Sequence, residues 1–233
     1  MREQDIPRDT AELLKGVPLF GDLEDPDRHR IADLMVSKKF KKNNLIIFED
    51  DLGRNLFIIQ AGRVKISGIS SEGGEAIFSI LGPGEFFGEL SIIDGLPRSA
   101  TVTSIDDVEL WVLNRGDFLE MLQKYPQIAI SLLKELARRI RRSDMQIKSL
   151  TLKDARGRVG MTLVRLAEDI GIMKGGKVVI SQLPLQRDLA NIAGTSRETI
   201  SRVFKKFEDE GLLLKVENSL IFNDYETFKK MFT

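Results

Sequence analysis

No cysteine occurs among the 233 residues. The chain therefore forms no disulfide, offers no thiol nucleophile, and cannot hold an iron–sulfur cluster or a zinc ion through thiolates. Histidine is nearly absent too. The single one, His29, removes most metal sites and every acid–base scheme that needs two imidazoles. It stands in Asp25-Pro26-Asp27-Arg28-His29-Arg30, the charged start of an expected helix, with no nucleophile beside it to activate. A solvated side chain is the simpler reading. Long apolar runs are also missing: none approaches the roughly 18 residues a membrane helix needs, and Met1 to Thr10 is polar and charged. No membrane partner is expected, and the cytoplasm is the expected location.

The chain does contain enough apolar material for a core, 42% against 30% charged, within a length that suits one large domain or two ordinary ones. Lysine plus arginine balances aspartate plus glutamate at 35 each. Residues 155–233 nevertheless hold 13 basic against 10 acidic side chains, a small basic excess toward the C-terminal end.

Texture divides the chain. Short amphipathic stretches, Ala11 to Leu14 and Asp27 to Met35, precede a region from Leu45 to Asn114 made of short apolar or alternating runs separated by Gly, Asp and Asn. That pattern predicts an all-β sandwich or barrel. After a short helix around Phe118 to Leu122, Pro126 fits the first turn of a long helix reaching about Asp154. Along it, Leu133, Leu136, Ile140, Ser143, Ile147 and Leu150 alternate in steps of three and four, the seam of a coiled coil, with Ser143 its one polar position. Such a helix can pack on its own β-domain or against a second copy, and the narrow seam favours the copy.

From Arg158 to Ile170 another helix is expected, then a strand at Val178–Ile180 and a short helix from Gln186 to Ala193. Gly194 ends that helix. Thr195 or Ser196 can cap the next one, whose apolar stripe is Ile200, Val203, Phe204 and Phe207 and whose first turn carries Glu198, where the helix dipole favours a carboxylate. Leu212–Val216 and Leu220–Phe222 flank the turn Glu217-Asn218-Ser219. Helix, turn, helix, hairpin is the order of a winged helix-turn-helix.

Two constellations carry chemistry. On the second helix of that unit, Arg197, Glu198 and Arg202 can read base edges, arginine by its fork to guanine and glutamate from a cytosine amino group. Lys205 and Lys206 extend the basic side toward phosphates, and Gln186, Arg187, Ser196, Thr199 and Ser201 complete the expected DNA-contacting set. An ordinary solvated helix with a Glu198–Arg202 pair is the competing reading. Upstream, Gly82-Pro83-Gly84-Glu85-Phe86-Phe87-Gly88-Glu89-Leu90 is followed by Pro97-Arg98-Ser99-Ala100. Glycine admits close approach of a ligand to the backbone, a carboxylate suits a ribose hydroxyl, and arginine beside serine suits a phosphate. By spacing alone this is equally a turn between strands with a Glu–Arg salt bridge.

Taken together and in order, Gly88-Glu89-Leu90, Arg98-Ser99-Ala100, the long helix and Ser196-Arg197-Glu198-Thr199-Ile200-Ser201-Arg202 resemble the cyclic AMP receptor protein and fumarate–nitrate regulator superfamily of bacterial transcription factors. The likeness runs from about Val17 almost to the end. It implies an α+β chain in three parts: an effector-binding β-roll over residues 1–125, a dimerisation helix over 126–154 and a winged helix-turn-helix over 155–233. It implies an allosteric effector, cyclic AMP or another cyclic nucleotide, without metal, haem or iron–sulfur cluster. It also implies DNA with an inverted repeat, a second copy of the chain and RNA polymerase as partners, and no enzymatic activity. By motif, Glu89 meets the ribose, Arg98 and Ser99 the cyclic phosphate, with the backbone at Gly88, Leu90 and Ala100 close by. Ser143 and Asp144 fall where hydroxyl residues hold the base. Asp144 departs from the serine of the cyclic AMP receptor and suits a guanine edge as well as an adenine amino group, and the loop from Glu89 to Arg98 is one residue shorter. The same architecture with another effector or none stays open, as does, more remotely, a nucleotide-processing enzyme using His29 or the Glu89/Arg98 pair.

Overall fold

A computed structural model describes residues 10–233; residues 1–9, the polar opening of the expected first domain, lie outside the described residues. The chain forms two compact units, one ending at Ile140 and the other spanning Arg141–Thr233, so the division falls inside the long helix.

The first unit begins with α1 (Thr10–Leu14) and α2 (Asp25–Ala32). The second of these starts earlier than expected because Pro26 occupies its first turn, where a missing N–H costs nothing. Eight strands follow: β1 (Val36–Phe40), β2 (Leu45–Ile47), β3 (Asn55–Ala61), β4 (Val64–Ile69), β5 (Glu75–Leu81), β6 (Phe86–Phe87) and, after the short α3 (Leu90–Asp94), β7 (Thr101–Ser104) and β8 (Val108–Asn114). They make two four-stranded antiparallel sheets, ordered β1-β8-β3-β6 and β2-β7-β4-β5.

Ile47, Phe57, Ile59, Val64, Leu81, Phe87, Val102, Val108, Leu110 and Val112 come from both sheets and fill the space between them. The first sheet is buried on its other face as well. Leu56, Ile58, Phe86, Trp111 and Leu113 pack there against helical residues such as Leu14, Phe20, Ile31, Phe118 and Ile128. This double burial explains why β3 reads as a continuous apolar run, Leu56-Phe57-Ile58-Ile59, without alternation.

Asn114 accepts from the Asp117 amide and caps α4 (Arg115–Lys124). The long helix α5 (Pro126–Leu152) then presents two faces. Ile128, Leu132, Glu135 and Leu136 pack inward on the first unit. Leu133, Ile140 and Ile147, seven residues apart, stay 65%, 62% and 62% exposed. The expected seam is therefore an open row, apolar except at Ser143, and only Leu136 of it packs against the core of the first unit.

In the second unit Asp154 caps α6 (Ala155–Ile170) by accepting from the Gly157 amide at 2.7 Å. The tail of α5 is tied to α6 by Arg142 to Asp169 at 3.0 Å and Arg165 to Gln146 at 2.9 Å. Next come β9 (Ile172–Lys174), β10 (Lys177–Ile180), α7 (Gln186–Ala193), α8 (Arg197–Asp209), β11 (Leu213–Val216), β12 (Ser219–Phe222) and α9 (Tyr225–Phe232). The strands form one sheet ordered β11-β12-β10-β9. The expected stripe of α8 is buried, with Ile200, Val203, Phe204 and Phe207 all in the core. Phe228 and Phe232 of α9 pack edge-on against Phe207, and Phe222 joins them.

That ring cluster presses on α6 at Gly160, where a Cβ would lie 2.3 Å from the Phe232 ring. Overpacking of this kind costs about 1–3 kcal/mol. Gly160→Ala is thus expected to speed amide hydrogen exchange throughout residues 155–233 while leaving the β-sheets of the first unit as protected as before. Unchanged exchange in α6 and α9 would show that Phe232 can move aside at no cost.

Candidate functional site

The glycine-rich stretch divides between two structural roles. Gly84, at φ +85°, closes a turn whose amide donates to the Ile59 carbonyl at 2.8 Å. Phe86 and Phe87 then pair with β3. Gly88, at φ +84°, turns the chain toward α3, and Glu89 is left 3% exposed.

Ten residues after Gly88, Arg98 is folded inward and only 7% exposed. Its Nη1 donates to the Gly88 carbonyl at 2.7 Å and to Ser91 Oγ at 2.9 Å, and its Nη2 donates to the Asn55 carbonyl at 2.9 Å. A guanidinium has five N–H donors. Three are satisfied within the chain, which leaves Nε–H and one Nη2–H for another acceptor. The guanidinium lies 5.8 Å from the centre of the Phe57 ring, and that ring stacks on Phe87 at 5.1 Å. Ser99, next in sequence, is exposed, and Ala100 is buried. Leu90 at the start of α3 is 45% exposed.

Glu89 and Arg98 are brought to the same place, but they do not form the direct salt bridge that spacing allowed. The Glu89 carboxylate instead accepts from Arg139 Nη1 at 3.0 Å. Arg139 is the member of this candidate site that the sequence reading missed, counted only among the charged faces of the helix. Its Nη2 donates to the Phe86 carbonyl at 2.6 Å, its plane covers the Phe86 ring at 4.5 Å, and its Nε approaches Glu135 Oε1 at 3.4 Å. Glu135 is itself 7% exposed and also pairs with Arg138 at 2.7 Å. One signal could have found Arg139: it lies one helical turn before Ser143 and one turn after Glu135. Ser143 and Asp144 are exposed on the part of α5 that belongs to the second unit.

In that second unit Ser196 caps α8, accepting from the Thr199 amide at 3.2 Å and meeting the Thr199 hydroxyl at 3.0 Å. Gly194, at φ +58°, ends α7. Arg158 fastens this turn, donating to the carbonyls of Ala193 at 3.0 Å and Gly194 at 3.2 Å. Arg187, Arg197, Glu198, Ser201, Arg202, Lys205 and Lys206 are exposed. Gln186 of α7 accepts from Ser201 of α8 at 3.0 Å, which couples the two helices. The Glu198–Arg202 pair that would make α8 an ordinary solvated helix is not among the ion pairs of the described residues.

Among the described residues no group of three or more His, Cys, Asp and Glu side chains could hold a metal ion, and no helix is long and apolar enough to cross a membrane.

The comparisons with known proteins match this geometry. Residues 37–125 match the model of a cyclic nucleotide-binding domain, and residues 157–231 match a Crp-like helix-turn-helix domain. The two define a transcription regulator that joins a nucleotide-binding β-domain to a DNA-binding head. The cyclic AMP receptor protein of Thermus thermophilus is 34% identical over 200 residues, covering 86% of this chain and 89% of its own. Two solved structures share the fold. FixK2 from Bradyrhizobium japonicum has a TM-score of 0.77 at 19% identity, covering 85% of this chain and 98% of its own. The c-di-GMP responsive regulator CLP of Xanthomonas campestris has a TM-score of 0.73 at 20% identity, covering 86% and 100%. The chain belongs to the cyclic AMP receptor protein and fumarate–nitrate regulator family of transcription factors.

Burial is the strongest influence on Glu89 and raises its pKa above the ordinary glutamate value, with Arg139 and then Arg98 acting to lower it. The folded chain therefore holds the Glu89 proton more tightly than the unfolded chain does. Its contribution to stability falls as pH rises from the unfolded pKa through the folded one. Glu89→Gln should be at least as stable as the parent near about pH 7 and should lose that advantage below about pH 4, where an unfolded glutamate is also protonated. Urea midpoints at the two pH values check this. A variant weaker than the parent at the higher pH would mean that the Arg139 pair outweighs burial.

Proposed function

We propose that this regulator works as a homodimer whose affinity for an inverted-repeat operator is set by a cyclic nucleotide, with cyclic AMP the first candidate. The observation that carries this reading is Arg98, buried beside Glu89 with two N–H donors left over. An anionic phosphate accepting both would complete the guanidinium, and Ser99 adds a hydroxyl at the pocket edge. Glu89, oriented by its hydrogen bond from Arg139, accepts from a ribose hydroxyl, with the backbone of Gly88, Leu90 and Ala100 alongside. Ser143 and Asp144 take the base. The exposed row Leu133, Ile140 and Ile147 supports α5 as the dimer element, since two such rows bury one another in a coiled coil. The nucleotide then acts by binding one dimer geometry better than another, which shifts the population toward the DNA-binding state. RNA polymerase is the further partner and the cytoplasm the location that follow from this role, and no catalysis is involved.

A second reading keeps the architecture and changes the effector. Asp144 can accept from a guanine edge, and CLP, of the same fold, responds to c-di-GMP.

Calorimetric titration of the full chain with cyclic AMP, cyclic GMP and c-di-GMP separates these readings. A hydrogen bond to a charged group is worth about 1.5–3 kcal/mol, so Arg98→Ala should weaken binding of the true effector at least about tenfold. Arg98→Lys, which keeps the charge and loses the fork, should fall between. Equal binding by parent and Arg98→Ala would overturn the phosphate role.

The DNA side makes its own demand. Two-fold symmetry implies half-sites about 34–36 Å apart. On a randomised operator library, Arg202→Ala should cost about 1–3 kcal/mol and relax the preference at one base pair. Lys205→Ala should instead weaken all sequences alike and reduce the salt slope by about one. A uniform loss in Arg202→Ala, with base preferences intact, would remove α8 from the role of reader.

A further inference from the structure

Arg98 is not held by an opposing carboxylate in direct contact. It is held by two main-chain carbonyls, Gly88 and Asn55, and by one side chain, Ser91. The carbonyls belong to the chain around β6 and β3, and they cannot move without the sheet. Ser91, on α3, is the one side chain among the three acceptors. Its hydroxyl is buried, 4% exposed, and faces two groups at once: it accepts from Arg98 Nη1 at 2.9 Å and lies 3.4 Å from the Gly88 carbonyl, to which it donates. Gly88 O, Ser91 Oγ and Arg98 Nη1 thus close a three-membered ring of hydrogen bonds.

Space around that ring is defined by absent side chains. A Cβ at Gly53 would lie 2.1 Å from Ser91 Oγ and 2.7 Å from Arg98 Cζ and Nε, and one at Gly88 would lie 2.6 Å from Arg98 Nη1. A Cβ at either position would force Arg98 or Ser91 out of its present place. Nη1 carries two hydrogens, and the Gly88 carbonyl and Ser91 take both. If Ser91 accepted nothing, one buried N–H would lack a partner, and rotation of the guanidinium would be the way to recover one.

We infer that Ser91 is a positioning residue for Arg98: by occupying Nη1 together with Gly88 O, it fixes the fork so that Nε–H and one Nη2–H face the nucleotide phosphate. The inference rests on the reading of Arg98 as the phosphate contact. It goes beyond that reading in giving the pocket's anion selectivity to a serine that touches no ligand.

The test has a ligand-free arm and a ligand arm, both on the full-length chain. Without ligand, NMR of the arginine side-chain nitrogens, with Arg98 assigned through Arg98→Lys, should show separate Nη signals in the parent, since a pinned guanidinium rotates slowly. Ser91→Ala should merge them, and Ser91→Thr, which keeps the hydroxyl, should retain them. In the ligand arm, calorimetry with cyclic AMP should show about tenfold weaker binding by Ser91→Ala, and no added effect of that change in an Arg98→Ala background. Adenosine, which has no phosphate, should bind parent and Ser91→Ala alike.

Nη signals still separate in Ser91→Ala, or a loss of adenosine and cyclic AMP binding in equal measure, would overturn the inference and leave Ser91 a packing residue. An equal loss in Ser91→Ala and Ser91→Thr would do the same. If the parent itself binds no cyclic AMP while the Nη signals respond as expected, the phosphate reading of Arg98 fails and its positioning by Ser91 stands.

Discussion

Charged groups with almost no access to water lie where β3, β6 and α3 meet, and burial obliges each of them to find a partner. Glu89 and Arg98 are each less than a tenth exposed, and Glu135 is buried nearby. Isolated, such charges would be expelled or neutralised. Each is met by fixed partners: main-chain carbonyls for Arg98, Arg139 for Glu89, and Arg139 with Arg138 for Glu135. Replacing the set with apolar side chains would cost the fold little and could stabilise it. Such a set makes sense as preorganisation, in which donors and acceptors are oriented before a charged ligand arrives.

The same demand shapes α5. A helix dedicated only to pairing with another helix would turn one stripe outward and keep the rest solvated. This one also turns Ile128, Leu132, Glu135, Leu136 and Arg139 onto its own β-domain, so the residue that neutralises Glu89 sits on the helix that carries the exposed row. Within the first unit, the partner of Glu89 and the exposed Leu133 and Ile140 are thereby carried on the same helix.

The sequence made some of this legible, and the reasons differ from element to element. The β-domain showed through its run of short strands, and Gln186–Ala193 was legible to the residue because Gly194 marks its end, while the cap of the next helix stayed open between Thr195 and Ser196 until the structure placed it at Ser196. Strand β9 escaped notice because all three of its residues are exposed, so it carries no burial signal. Helix α9 escaped because its eight residues offer just two buried positions, Phe228 and Phe232. Within the site, Glu89 and Arg98 were legible as chemistry at a spacing. Their actual partners were not. Asn55 and Gly88 act through carbonyls that every residue possesses, Gly53 acts through space it leaves empty, and Arg139 looked like one more charge on a basic helix. Contacts of that kind depend on the fold and leave no mark in residue type.

The order in which the chain is synthesised gives the ring cluster of the second unit a further meaning. The first unit can close its core once residue 140 has emerged from the ribosome. The inner face of α8 cannot, because Phe207 is covered by Phe228 and Phe232, some twenty residues later. During translation the nucleotide-binding half therefore matures while the half that meets DNA is still open, and domains made early generally fold early. On that order the core of the β-domain closes before the aromatic core around Phe207 does.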